Sequence, residues 1–337
     1  MSKQKLSWLG LIVEETIIEE NLGAGSFSFI FKGAALTDGA ATAFKLAKAG
    51  DLVERVSGSS PSATNALSFF TGGTRDVRPD CEELLIRQFQ KVQQTNDEAL
   101  VKVQKLSQQT GLCYYQMEYL PGGSLRSLIE NGSADLETFA NLALIFDRLS
   151  NNDRFVYHGD LKPENVMIGG KGLKLIDPGY FGPLKCQEGS MSKCAITTTC
   201  YYPSLTPDDL LAFGIMLWEA SLGEHPLLPR LASGTGSAEE AAGPTARPAE
   251  MMSSDALRQR VNRYSALGYF GFEPLLHLRR PASIKPGLDS SVEDLLLKAL
   301  RLKINDQNQL DDAPGFKSFA EIHHQLGILQ AREIKLS

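Results

Sequence analysis

The sequence predicts an α+β chain in two parts, and three observations carry that expectation. Strand-like segments gather before Pro121-Gly122-Gly123. Helix-like segments dominate after it. The Pro-Gly-Gly itself reads as a connector, since both residue types interrupt regular structure.

Taken in order, residues 16–22 read as a strand, Gly23-Ala24-Gly25-Ser26-Phe27-Ser28 as a turn, and residues 29–32 as the returning strand. The two glycines let a backbone approach phosphate oxygens and aim N–H groups at them, although a Gly-x-Gly also fits a plain hairpin turn. Residues 41–46 alternate faces as a strand does. Residues 51–78 are rich in Ser, Gly, Thr and Asn and predict a long mobile loop. A helix follows from Pro79-Asp80 to about Gln93, with Asp80-x-x-Glu83 spaced for an N-terminal cap. Two strands come next, over 100–106 and 113–119, then helices over 124–130 and 136–149.

Thr206-Pro207-Asp208-Asp209 predicts a helix start with Thr206 as cap, and the run from Leu210 to Trp218 is apolar all round, so that helix is expected to be buried. Residues 232–250, rich in Ala, Gly, Ser and Pro, predict a disordered surface loop. Helices resume over 255–267, 290–302 and 318–330, the last two opening with Ser290-x-x-Glu293 and Ser318-x-x-Glu321.

The chemistry concentrates in Tyr157-His158-Gly159-Asp160-Leu161-Lys162-Pro163-Glu164-Asn165-Val166-Met167-Ile168, and in Asp177-Pro178-Gly179, which starts twelve residues after Asn165. An Asp, a Lys, an Asn and a second Asp at this spacing suit phosphoryl transfer. One carboxylate orients or deprotonates the attacking hydroxyl, the Lys and metal ions neutralise phosphate charge, and the Asn and second Asp hold Mg2+.

These two pieces resemble the catalytic loop and metal-binding segment of the protein kinase superfamily, in its serine/threonine branch. His-Gly-Asp stands for the usual His-Arg-Asp, and Asp-Pro-Gly for Asp-Phe-Gly. The resemblance runs from about residue 11 to residue 329. It implies a two-lobed α+β fold, with residues 1–118 as a small antiparallel-sheet lobe carrying one helix and residues 119–337 as a larger helical lobe. It implies ATP and Mg2+ as cofactors and a protein as substrate.

Site roles follow from the resemblance residue by residue. Asp160 is the base, Lys162 the γ-phosphate contact, and Asn165 and Asp177 the metal ligands. Gly23, Gly25 and Ser26 cover the phosphates, and Lys45 binds the α- and β-phosphates. Glu82 pairs with Lys45; it is preferred to Glu83 because Ile86 and Phe89 then share its inward face. Ile30 and Ala43 lie above the adenine and Met167 below it. Backbone groups of Glu118 and Leu120 bind its edge, and Met117 gates the space behind. Asp209 hydrogen-bonds the catalytic-loop backbone, although capping alone also accounts for it.

Departures from the family pattern are equally specific. Ser28 replaces the third glycine of the turn. Pro178 makes a smaller contact than Phe with the helix that carries Glu82. Gly159 removes the arginine that normally meets a phosphate on the segment 180–203, which carries Ser190, Ser192, Thr197, Thr198 and Thr199. Activity independent of phosphorylation there is expected. The Glu of the family's Pro-Glu is missing after Pro203, as is a clear arginine partner within 303–314. Two rivals remain. His-Gly-Asp-Leu also resembles aminoglycoside and choline kinase loops, against which Lys162 and the hinge-like Met117–Leu120 weigh. A nucleotide-binding pseudokinase is favoured by Ser28, Gly159 and Pro178 and opposed by retention of Lys45, Asp160, Asn165 and Asp177.

Bulk properties exclude other classes. The 337 residues are 42% hydrophobic and 22% charged, as in ordinary globular proteins. A net charge of −6 without a basic cluster argues against nucleic acid. Five scattered cysteines and five histidines have no metal-ligand spacing, and the cysteines read as free thiols in a reducing compartment. The apolar stretch 6–13 runs directly into Glu14-Glu15 and is too short for a signal peptide or span. A cytoplasmic protein with no membrane span is expected.

Overall fold

The computed structural model describes residues 8–25, 27–48, 67–71, 80–109, 112–185, 191–198, 200–202, 206–227 and 278–336. Ser26, Ser190, Thr199, the 232–250 loop and the expected 255–267 helix lie outside the described residues.

The chain divides into two compact units, Met1–Gly123 with Met167–Ile196, and Ser124–Val166 with Thr197–Ser337. The division is not a single cut along the chain: residues 167–196 group with the first unit.

In the first unit, β1 (Ile12–Val13), β2 (Thr16–Ala24), β3 (Ser28–Ala35) and β4 (Ala41–Ala47) precede β5 (Leu67–Thr71), α1 (Cys81–Thr95), β6 (Val103–Gln109) and β7 (Leu112–Glu118). Six of the strands form one antiparallel sheet in the order β1-β2-β3-β4-β7-β6. Alternation puts Ile18, Phe31, Phe44, Leu46 and Tyr114 into one buried cluster. Helix α1 is capped as its sequence predicts: the Asp80 carboxylate accepts from the N–H groups of Glu82 (2.9 Å) and Glu83 (3.2 Å). Its buried face is Cys81, Leu84, Leu85, Gln88, Phe89, Val92 and Thr95.

The remaining strands of this unit come later in the chain. Strands β8 (Val166–Gly169) and β9 (Gly172–Leu175) pair as a hairpin ending two residues before Asp177. Next, β10 (Tyr180–Lys185) and β11 (Met191–Thr198) pair antiparallel, from Tyr180 opposite Ile196 to Lys185 opposite Met191. Strand β5 lies on the other side of β11. The expectation of a loop over 51–78 is corrected at residues 67–71, where the run Leu67-Ser-Phe-Phe-Thr has strand composition and extends the edge of β11; residues 51–66 and 72–78 lie outside the described residues. Helix α1 and β10 are joined by Asp80 N–H to Lys185 O (2.9 Å) and Lys185 N–H to the Glu83 carboxylate (3.0 Å).

The second unit contains α2 (Leu125–Glu130), α3 (Leu136–Ser150), α4 (Asp209–Leu222), α5 (Pro281–Ile284), α6 (Ser290–Ala299), β12 (Leu302–Ile304), β13 (Leu310–Asp312) and α7 (Phe319–Ala331). Helix α4 is the predicted buried helix; Phe213 through Trp218 are almost entirely inaccessible. Gly214 permits this, since a Cβ there would lie 2.6 Å from the Ala299 carbonyl oxygen. Phe146 stacks on Phe319 at 4.7 Å, and Phe139 meets Phe213 edge-on at 5.7 Å.

Two expected caps are corrected. Helix α4 is capped by Asp208, not Thr206, and α6 by Asp289, not Ser290. In each case a carboxylate takes the capping position, and the nearby hydroxyl is displaced. Ser318 caps α7 as expected. An arginine just outside the span 303–314 does find a partner: Arg301 pairs with Asp208 at 2.6 Å. Among the described residues, no helix is long and apolar enough to cross a membrane, and Cys81, Cys113 and Cys200 are free and buried.

Candidate active site

In the second unit the loop from His158 to Leu161 is organised by one buried carboxylate. Asp209, at the start of α4, accepts from the N–H of His158 (2.6 Å) and of Gly159 (2.9 Å). It also accepts from the Tyr202 hydroxyl (2.5 Å), whose oxygen accepts the Leu161 N–H (2.7 Å). Burial, with Asp209 next in effect, holds the Tyr202 phenol well above its ordinary pKa, so it stays a donor. Gly159 sits at φ +84°, in the left-handed region where a side chain is strained. His158 is fully buried, edge-on to Phe146, and its Nδ1 accepts the Asp160 N–H at 3.3 Å, which is a packing role.

This framework presents Asp160, 7% exposed, with both carboxylate oxygens engaged. Oδ1 accepts the Thr198 N–H at 2.6 Å. Oδ2 accepts from Asn165 Nδ2 (3.0 Å) and lies 3.4 Å from Lys162 Nζ. Lys162 Nζ in turn donates to Thr198 Oγ1 at 2.8 Å, and Thr197 Oγ1 donates to Gly159 O at 2.7 Å. Asn165 Nδ2 also donates to Asp160 O (2.7 Å), which directs its amide oxygen away from Asp160.

Asn165 ends a short 3-10 turn, Pro163–Asn165, that is anchored from α2. Arg126 donates to Glu164 (2.8 Å), to both Glu219 oxygens (2.5 and 3.3 Å) and to the Tyr201 hydroxyl (2.8 Å). Burial alone would lower the Arg126 guanidinium, but Tyr201, Glu219 and Glu164 together raise it above its ordinary value. The ring of His225 packs edge-on to Tyr201 at 5.1 Å. Burial, with Arg126 adding to it, pushes the imidazole down to about 3. Its Nδ1 accepts the Leu227 N–H at 3.1 Å, so the neutral ring carries its proton on Nε2.

In the first unit the sheet register assembles the other candidates. Gly23 lies opposite Ile30, Ile30 opposite Lys45, and Lys45 opposite Tyr115. Ala43, two residues from Lys45, lies opposite Met117. Directly opposed residues and i, i+2 neighbours share a face, so Ile30, Ala43, Lys45 and Met117 all project to one side of the sheet. Lys48 donates to the Gly25 carbonyl, and Gly25 N–H donates to Ser28 O (2.9 Å), which closes the glycine turn. Glu118 N–H donates to Lys102 O (2.9 Å), and its carboxylate pairs with Lys174 (3.0 Å). Leu120 and Met167 are partly accessible, and Ile168 N–H donates to Gly123 O (2.9 Å), tying β8 to the Pro-Gly-Gly segment.

Lys45 is 1% exposed. Its Nζ pairs with Asp177 Oδ1 at 2.7 Å, donates to Gln88 Oε1 at 2.9 Å and sits 4.8 Å from the Phe27 ring centroid. Asp177 adopts φ +53°. Glu82 does not fill the role expected of it. It is an exposed residue of the first helical turn, where its backbone N–H serves the Asp80 cap, and the α1 side chain that reaches the lysine is Gln88. The inward stripe runs through Leu84, Leu85, Gln88 and Phe89, which turns Glu82 outward.

Among the described residues, no group of three His, Cys, Asp or Glu side chains could hold a metal alone. Mg2+ takes few protein ligands and completes its shell with water and phosphate oxygens; each unit offers one oxygen donor of the type it takes, Asn165 in the second and the partly accessible Asp177 in the first.

No family model matches the chain. Among curated proteins it is similar to mitogen-activated protein kinase kinase 9 of Arabidopsis thaliana, 28% identical over 200 residues that cover 53% of this chain and 62% of that protein. It is also similar to the dual specificity mitogen-activated protein kinase kinase dSOR1 of Drosophila melanogaster, 25% identical over 209 residues, 56% of this chain and 51% of that one. The chain spans less than two thirds of the length of these relatives. Among solved structures, the PknI kinase domain of Mycobacterium tuberculosis superposes with a TM-score of 0.51 at 12% identity, covering 97% of this chain and 100% of that one. In sequence the chain is similar to protein kinases over about half its length, and in fold it is similar to a kinase domain.

Within that kinase fold, three contributors escape sequence reasoning. Gln88 reads as a solvated helix amide, yet its i+4 and i+3 spacing from Leu84 and Leu85 marks the inward face. Tyr202 has no sequence signal beyond its aromatic character. Thr198 lies among three threonines, and only the fold singles out the one that meets Asp160 and Lys162.

Proposed function

We propose that the chain is an ATP-dependent serine/threonine protein kinase. The observation that carries the reading is the Asp160 carboxylate, fixed by the Thr198 N–H and Asn165 and flanked by Lys162. A buried carboxylate held in one orientation, beside a cation that can neutralise a phosphoryl oxygen, is suited to orient an acceptor hydroxyl and receive its proton.

In this reading Asp160 aligns the hydroxyl of a Ser or Thr side chain, and Lys162 balances charge on the transferred phosphoryl group. Lys45 binds the α- and β-phosphates. Gly23, Gly25 and Ser26 cover them with backbone N–H groups. Ile30, Ala43 and Met167 enclose the adenine, Met117 limits its depth, and the carbonyl of Glu118 with the backbone of Leu120 binds its edge. Asn165 and Asp177 supply oxygen to Mg2+, which when bound neutralises charge on the phosphates. Gln88 takes the place assigned to Glu82. The kinase names of the relatives support transfer to protein.

One observation favours the rival in which nucleotide binds without transfer: Lys45 meets a neutral amide from α1 where an acidic partner was expected. A single assay separates the readings. The protein is incubated with Mg2+ and γ-labelled ATP, with generic protein substrates and separately with aminoglycosides and choline, beside Asp160→Ala and Asp177→Ala. Label on protein Ser and Thr that disappears in both variants supports the proposal. Label only on the small molecules, or nucleotide binding with no transfer, overturns it.

A further inference from the structure

Gln88 does something that a carboxylate in its place cannot. Its Oε1 accepts from Lys45 Nζ at 2.9 Å while its Nε2 donates to the Pro178 carbonyl at 2.7 Å. The two ends of one planar amide therefore bind a cation and a backbone acceptor together, in a side chain 3% exposed. A glutamate would keep the first bond and set an acceptor against the Pro178 oxygen.

The electrostatics run the same way. Lys45 already has a carboxylate partner in Asp177 at 2.7 Å. Charged groups around this amide include Lys45 of β4, which it bonds, and Asp177, which pairs with Lys45; Lys91 of α1 donates to the Gly179 carbonyl at 3.2 Å. A second carboxylate against one buried lysine would leave uncompensated negative charge beside the Phe27 ring. The neutral amide avoids that.

Backbone geometry explains what the bridge is for. Asp177 lies at φ +53°, a strained conformation for a non-glycine residue that persists only where neighbours hold it. Pro178 has no N–H to contribute. Gln88 and Lys91, three residues apart on one face of α1, take the carbonyls of the two residues that follow Asp177.

We propose that Gln88 is a positioning residue for nucleotide binding: its amide bridge fixes Lys45 and, through the Pro178 carbonyl, the Asp177 carboxylate. This rests on the reading of Lys45 and Asp177 as nucleotide and Mg2+ contacts. Its distinctive consequence is one of sign. Gln88→Glu, which restores the acidic residue usual in this family, weakens nucleotide binding here.

The test measures ATP affinity with and without Mg2+ for the wild type, Gln88→Glu and Gln88→Met, together with nucleotide-free hydrogen exchange over residues 177–185. Both variants are expected to bind MgATP about tenfold more weakly, the loss of roughly one hydrogen bond to a charged group. The enhancement of ATP affinity by Mg2+ shrinks with it, which a general loss of helix packing would not produce. Exchange at Gly179 and Tyr180 quickens in both. A Gln88→Glu protein that binds MgATP as tightly as the wild type, with unchanged exchange, overturns the proposal. If the wild type itself fails to bind ATP, the kinase reading falls, and the exchange data still decide whether the bridge holds the segment. Should the charged variant not fold, Gln88→Met, nearly equal in volume, decides between the same two outcomes.

Discussion

Lys162 Nζ donates to the hydroxyl of Thr198 at 2.8 Å, and the backbone N–H of the same threonine caps Asp160 at 2.6 Å. One residue of β11 thus fixes the proposed base and the proposed phosphate contact together. Removing the hydroxyl without changing shape isolates the first of these bonds. Thr198→Val is expected to lower kcat/KM about tenfold, corresponding to about 1.4 kcal/mol, while Thr198→Ser stays within about threefold. Steady-state kinetics on the two variants checks this.

Asp209 collects three donors, two of them backbone N–H groups of the catalytic loop and the third the Tyr202 hydroxyl. Its replacement by Ala strands those buried donors. A loss of about 3 kcal/mol of stability is expected, with phosphotransfer falling further than stability alone explains. Chemical denaturation and kinetics of Asp209→Ala test it. Tyr202→Phe, which removes the bond to Asp209 and leaves the buried Leu161 N–H without its acceptor, is expected to cost about 2 kcal/mol.

Acid should destabilise the fold through His225. Its folded pKa is depressed from an ordinary value of 6.5 to about 3, so between those limits the unfolded chain binds the extra proton. Stability from this group is complete above about pH 6.5 and is lost as pH falls toward 3, by at most about 1.4 kcal/mol per pH unit. His225→Phe is expected to flatten the fall in denaturation midpoint between pH 6.5 and 4.5 relative to the wild type. Parallel slopes for the two proteins would assign the acid sensitivity elsewhere.

Activity is expected without phosphorylation of the 180–203 segment. Thr197 and Thr198 are buried with their hydroxyls engaged to Gly159 and Lys162, so neither is presented to a modifying enzyme. Alanine at these two positions would break structural bonds, which makes mutation a poor probe of phosphorylation. Mass spectrometry of the active protein is the direct measurement. It should find no phosphate on Thr197 or Thr198, and phosphatase treatment should leave the rate unchanged.

Much of the candidate site is legible in the sequence because several of its residues lie close together along the chain. Asp160, Lys162 and Asn165 sit on one loop, and Asp177 two residues beyond the hairpin that follows it, at a spacing the chain itself sets. Lys45 is visible as a strand residue, and the register that puts it beside Ile30, Ala43 and Met117 follows from strand alternation. Glu82 fails for a physical reason: the expected inward face through Ile86 and Phe89 lies instead along Leu84, Leu85, Gln88 and Phe89, and the acids of the first turn serve the cap and the helix dipole. The Leu84, Leu85, Phe89 and Val92 stripe points to position 88.

The Tyr180–Thr198 hairpin and the β5 strand that joins it are hidden for another reason. Their stability comes from partners far away in sequence, such as Asp80 and Glu83 against Lys185, and no local pattern announces such pairing. The misplaced caps at Thr206 and Ser290 are smaller errors of the same kind. Hydroxyl and carboxylate compete within two residues, and the backbone angle that decides between them is not written in the side chains.

In the proposed function Asp160 carries the chemistry of phosphotransfer and not merely the shape of the loop. The sharpest check is the rate of phosphoryl transfer by Asp160→Asn at saturating MgATP, with nucleotide affinity measured on the same preparation. The expected rate is at least about 100-fold lower, with MgATP affinity within about twofold of the wild type. An Asp160→Asn protein that transfers phosphate at the wild-type rate would show that the carboxylate is not the base.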